Sequence, residues 1–139
     1  MKLKKLTKLM SISFTNKLRT NPLSTKRASV WTTMADEVLG KKYDLSVVFT
    51  GDAFMRRINL TYRRKDKPTN VLAFPIAEGV GEIYLDMPYI KCESTKYDHA
   101  PKIHLDYLFI HGLLHLAGYD HGDEMERLER RLMKKHWTL

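Results

Sequence analysis

Three histidines stand at a spacing that can do metal chemistry. The segment reads His111-Gly-Leu-Leu-His115-Leu-Ala-Gly118-Tyr-Asp-His121. On an α-helix, residues four apart lie about 40° apart around the axis and about 6 Å apart along it, so His111 and His115 share a face. Gly118 can take the left-handed conformation that ends a helix and turns the chain back. That turn returns His121 toward the other two. Three imidazoles suit one Zn²⁺ ion, with bonds of about 2.0–2.1 Å, and leave a fourth tetrahedral position for water. Structural zinc sites are generally closed by four protein ligands, so three with one open position imply catalysis. A neutral imidazole on an apolar helix also needs partners for both ring nitrogens, and a metal takes one of them. His99, His104 and His136 fall outside this spacing. His104 lies seven residues before His111 on the same face, where a structural role or support of a metal ligand is expected. Asp120 either orients a ligand or shapes the turn.

The histidine spacing equals that of the metzincin proteases, H-E-x-x-H-x-x-G-x-x-H, except at one position. Where those enzymes carry the glutamate that acts as general base, this chain has Gly112. Peptide hydrolysis of that type therefore loses its base. What a metal still offers is a lowered pKa for water or polarisation of a phosphoryl oxygen. A phosphodiester fits those resources better than a peptide.

Charge points the same way. The 139 residues include 24 Lys and Arg against 16 Asp and Glu, a formal net charge of +8. Residues 1–30 hold eight of the basic residues and no acid, so the remainder balances to zero. A second basic cluster, Arg56, Arg57, Arg63, Arg64, Lys65 and Lys67, is opposed only by Asp66. Such clusters bind phosphate polymers through counterion release; the plain alternative is a solvated basic surface.

The elements that must position these residues can be read from hydrophobic spacing. Residues 1–8 read as a basic lead-in to a strand in which Met10, Ile12 and Phe14 alternate with polar residues. A helix from Ser24 or Thr25 to about Leu39 places Val30, Met34 and Val38 on one face. Tyr43–Thr50 reads as a strand. Asp52 is expected to cap a second helix with Phe54, Met55, Ile58 and Tyr62 inward. Val71–Ile76 and Glu82–Asp86 read as a hairpin turned by Gly79 and Gly81. A short helix near Pro88–Tyr97 follows. Ile103–Ala117 is apolar around nearly its whole circumference, as a buried helix is. Asp123 is expected to cap a final amphipathic helix with Met125, Leu128 and Leu132 inward. The result is one α/β (α+β) domain over residues 1–139, a small sheet packed with helices, with a buried helix near the C-terminus carrying the metal motif. Cys92 is the one cysteine, which excludes an intrachain disulfide framework and a four-cysteine zinc site. No apolar run approaches the roughly 20 residues of a spanning helix, and a reducing cytoplasm is the expected compartment.

The histidine segment resembles the signature of the YbeY family of endoribonucleases, or rRNA maturation factors. A second block agrees: Leu60-Thr-Tyr-Arg63-Arg-Lys-Asp-Lys-Pro-Thr-Asn70-Val-Leu-Ala-Phe-Pro75, then Gly81-Glu-Ile. The family pattern there is close to N-x-x-Y-R-x-x-x-x-P-T-D/N-V-L-S-F-P and then G-D-I. Ala73 and Glu82 stand where the family usually has Ser and Asp, and residues 87–102 depart most. The resemblance implies a mixed four-stranded sheet and a single-metal endoribonuclease of single-stranded RNA. It further implies maturation of the small-subunit rRNA 3′ end, ribosome quality control and the small ribosomal subunit as partner. It assigns the metal to His111, His115 and His121, and makes Arg63 a catalytic and RNA-binding residue. A guanidinium fork holds a phosphate bidentately, which suits that role. Arg64, Lys65 and Lys67 are further candidates for RNA backbone contact. Two alternatives are a non-catalytic ribosome assembly factor with a structural metal, and a metal hydrolase of another substrate.

Overall fold

The computed structural model describes residues 12–137; the basic lead-in over 1–8 and the start of the first strand lie outside them. The described residues form four strands and five helices: β1 (Ile12–Asn16), α1 (Thr25–Leu39), β2 (Asp44–Thr50), α2 (Asp52–Arg63), β3 (Val71–Ala77), β4 (Val80–Asp86), α3 (Met87–Lys96), α4 (Pro101–Leu116) and α5 (Asp123–His136). The sheet order is β1-β2-β4-β3. β1 and β4 both pair in parallel with β2, while β3 runs antiparallel to β4, so the sheet is mixed as expected.

Strand alternation sorts the side chains into two layers. Leu45, Val47, Phe49, Ile83 and Leu85 face a large core shared with α1, α3, α4 and α5. Leu72 on β3 faces a smaller cluster with Met55 and Ile58 of α2, edged by Phe74 and Tyr84. Trp31 of α1 stacks on Phe109 of α4 with ring centroids 3.9 Å apart, and both are fully buried. Buried Asp106 accepts from Trp31 Nε1 at 2.6 Å and from Arg27, so α1 and α4 are joined by a satisfied charge as well as by packing.

Several local expectations are corrected. Tyr62 is 70% exposed rather than inward. Instead Asn59, one turn earlier, is fully buried and donates through Nδ2 to Lys67 O at 2.8 Å, anchoring the basic loop. Asp52 and Asp123 do not cap their helices: Gly51 and Gly122 do, and the two acids occupy the first turn, where they complement the helix dipole. Gly122 sits at φ 157°, a backbone region essentially limited to glycine, which moves the start of α5 there. Gly81 belongs to β4 rather than to the turn, and a Cβ there would collide with the Tyr43 hydroxyl.

Candidate metal centre and its cavity

α4 is buried on most sides, and its exposed side opens onto a cavity of about 510 Å³. His111 and His115 line it from two successive turns. α4 ends in a paired-bond C-cap: Gly118 N–H donates to His115 O at 3.0 Å and Tyr119 N–H to Leu114 O at 3.0 Å, with Gly118 at φ 97°. This is the Schellman arrangement, and a positive φ is what glycine supplies. The turn does two things. It swings His121 back over the helix, and it aims the Tyr119 carbonyl at His115.

The three rings converge. Their centroids lie 4.5 Å (His111–His115), 5.0 Å (His111–His121) and 4.8 Å (His115–His121) apart. One ligand atom from each lies within 4.8 Å of the others, so the cluster could hold a metal ion. The tautomers follow from the outer partners. His111 Nδ1 faces Glu129 Oε2 at 2.8 Å and His115 Nδ1 faces Tyr119 O at 3.1 Å. Both partners only accept, so both Nδ1 atoms carry the proton and donate it. Each Nε2 then presents a lone pair, and the two Nε2 atoms face each other at 3.0 Å. Two facing lone pairs repel unless a cation lies between them. Two nitrogens bound tetrahedrally to one zinc at 2.0–2.1 Å stand about 3.3 Å apart, close to the spacing seen. The residues fit a divalent ion.

Electrostatics hold the site ready. Burial first, and then the neighbouring His111, push the His115 pKa below its ordinary value, which favours the neutral ring. Glu129 is 4% exposed and belongs to the inward stripe of α5 with Met125 and Leu132. It meets His111 in the way that a carboxylate orients an imidazole able to bind a metal. Glu129 was not anticipated. The available signal was an acid at an otherwise apolar helical position. Burial, followed by the charge of Glu129, also raises the pKa of the Tyr107 phenol.

The other site candidates separate. Arg63, at the end of α2, lines the same cavity, with Nη1 3.4 Å from Asn59 Oδ1. Arg64 closes α2 in a left-handed conformation (φ 57°), and Arg64, Lys65 and Lys67 are exposed outside the cavity lining. Asp120 is exposed beside the turn. His104 is buried and meets Glu93 Oε1 at 3.0 Å, so it supports α3 rather than a histidine of the cluster. Gly112 explains the lost glutamate: a Cβ at this position would lie 3.1 Å from Ile83 Cδ1, so α4 presses its backbone onto β4 there. Ala73 lines the cavity, whereas Glu82 does not and instead accepts from the Tyr84 hydroxyl at 3.1 Å.

A family model described as Endoribonuclease YbeY matches residues 11–137. The chain belongs to the YbeY family. Relatives named Endoribonuclease YbeY include one from Geobacter sulfurreducens, 33% identical over 91% of each chain, and one from Aquifex aeolicus, 34% identical over 84% of this chain and 83% of that one. One from Chelativorans sp. (strain BNC1) is 41% identical over 65% of this chain, and there the match spans 64% of the relative's length, just under two thirds. The fold is also that of a Thermotoga maritima protein solved in solution, with a TM-score of 0.67, 26% identity, and 91% of this chain and 89% of that one covered. This YbeY chain has, among the described residues, no helix long and apolar enough to cross a membrane.

Proposed function

We propose that this YbeY chain is a metal-dependent endoribonuclease of single-stranded RNA, acting in the cytoplasm. Its role is the 3′-end maturation of small-subunit rRNA and ribosome quality control, with the small subunit as partner. Family membership supports the reaction class, and the net charge of +8 supports an RNA substrate. The observation that carries the reading is the convergence of His111, His115 and His121 in an open cavity that Arg63 also lines.

In this reading the three imidazoles hold one Zn²⁺ through the faces not engaged by Glu129 and Tyr119. When bound, the ion supplies Lewis acidity toward a phosphoryl oxygen. Glu129 and the Tyr119 carbonyl keep both Nδ1 protons in place and so hold the rings in the binding tautomer. Arg63 binds the phosphate next to the cleaved bond and offsets its developing charge. Arg64, Lys65 and Lys67 hold neighbouring phosphates. Gly112 leaves no side chain at the position of the protease base, consistent with a phosphodiester rather than a peptide substrate.

The test is cleavage of a defined rRNA precursor by wild type and His115→Ala, paired with metal content. Wild type is expected to carry about one zinc per chain and to cleave in single-stranded segments. His115→Ala is expected to lose both properties. Equal cleavage by the two proteins refutes the reading, and a cyclic 2′,3′-phosphate on the product identifies the 2′-hydroxyl as attacking group.

A further inference from the structure

The cavity runs on past the histidines to a second polar group that the proposed cleavage does not use. Glu93 of α3 lines it together with Asn70, Tyr97, His104 and Tyr107. Asn70 Oδ1 accepts from Val71 N–H at 2.6 Å, which fixes the amide so that Nδ2 donates to Glu93 Oε1 at 3.0 Å. His104 Nε2 meets the same oxygen at 3.0 Å, and since a carboxylate only accepts, that nitrogen donates. Glu93 Oε2 receives only a long 3.4 Å contact from Asn70 and keeps most of its accepting capacity. Held from two sides and only 21% exposed, the carboxylate has little freedom to swing away.

A fixed anion is out of place in a cleft meant for a polyanion unless it meets donors rather than phosphates. Base edges carry such donors, and in single-stranded RNA they are free to be read. Tyr97, 56% exposed, and Tyr107, 37% exposed, border the same part of the cavity and offer faces on which a base can stack. The four bases differ sharply toward an acceptor-only group. Guanine presents two adjacent donors, N1–H and the N2 amine. The uracil N3–H lies between two carbonyl oxygens, and the amines of cytosine and adenine each sit beside an accepting ring nitrogen. Guanine alone offers a carboxylate two donors on neighbouring atoms.

We propose that Glu93, held by Asn70 and His104, is a specificity-determining residue that reads a guanine near the cleaved phosphodiester. The proposal rests on the endoribonuclease reading and deepens it. His104 lies two turns of α4 before His111, about 10.5 Å along the axis, so the guanine is a near neighbour of the reacting phosphate. The plain alternative is a structural tie between α3, α4 and β3, and a tie has no base preference.

The experiment uses the full chain, loaded with zinc, and single-stranded RNA oligonucleotides with one cleavage site. Guanine, inosine, adenine, cytosine or uracil is placed in turn at each position flanking it. At one position guanine is expected to exceed adenine in kcat/KM by about tenfold, the lower end of the range for a specific base contact, with N1–H and the N2 amine both directed at the open Oε2. Inosine, which lacks the N2 amine, is expected to fall between them. Glu93→Gln, which keeps the side-chain shape, is expected to bring the guanine-to-adenine ratio near one. No guanine preference at any position in wild type, or an unchanged ratio in Glu93→Gln, overturns the proposal. If Glu93→Gln does not fold, the inosine arm on wild type decides alone, since inosine cleaved as fast as guanine also overturns it. Uniform cleavage of all sequences sinks only this subsite, whereas His115→Ala cleaving as well as wild type sinks the nuclease reading beneath it.

Discussion

His111 and Glu129 show how one hydrogen bond can set the chemistry of a site. The carboxylate fixes the ring so that Nε2 points into the cluster. Glu129→Gln keeps an acceptor but loses the charge, and is expected to weaken binding of a divalent metal at the cluster about 10–100-fold. Competition with a chromogenic chelator reads this directly, and unchanged affinity would mean that the carboxylate does not tune the ligand. Arg63 gives a different signature. If it holds one phosphate, Arg63→Ala is expected to lower the slope of log affinity against log salt by about one. Binding isotherms from 50 to 200 mM salt would measure the slope, and an equal slope removes Arg63 from the phosphate contacts.

At the scale of elements, α4 must be both buried and exposed. It stacks Phe109 on Trp31 of α1 and presses Gly112 onto Ile83 of β4, while its remaining face carries His104, Tyr107, His111 and His115 to the cavity. Gly112→Glu would restore the protease pattern on paper. In the fold it drives a carboxylate into Ile83, which is fully buried, and the expected result is loss of cooperative unfolding rather than a gain of peptidase activity. Circular dichroism on heating would check it. Asp106 joins α4 to α1 in the same way that Glu129 joins it to α5. Asp106→Ala strands the Trp31 N–H and removes the partner of Arg27, for an expected loss of about 3 kcal/mol in chemical denaturation.

Over the whole molecule, charge and burial decide how conditions act. Asp86 ends β4, caps α3 by accepting from Tyr89 N–H, and is fully buried, with no donor to its Oδ2. Burial, and then the nearby Asp52 carboxyl, raise its pKa from 3.8 to about 7. The folded chain therefore binds this proton more tightly than the unfolded chain does. Its contribution to stability is complete below pH 3.8 and is lost as the pH rises through about 7. Asp86→Asn keeps the helix cap and is expected to flatten the stability profile between about pH 4 and 7. Denaturation midpoints across that range are the check, and an unchanged profile would mean that Asp86 is not the group responsible.

The sequence carried the element order and the histidine cluster, because both rest on local rules, whereas the mixed sheet was implied by the family resemblance alone, since strand pairing joins distant segments. Alternation makes strands, an apolar circumference makes a buried helix, and a four-residue step followed by a glycine turn brings three rings together. Gly112 could be seen as a missing glutamate, but its reason, the close approach to Ile83, exists only between α4 and β4. The same holds for Glu129, Asp106 and Glu93. Each lies 11 to 79 residues from its partner among His104, His111, Trp31, Arg27 and Asn70, and no short-range pattern links such pairs. A polar residue inside an apolar stripe signals that a partner exists. Which partner it meets is settled only when packing brings separate elements into contact and a buried charge must be satisfied.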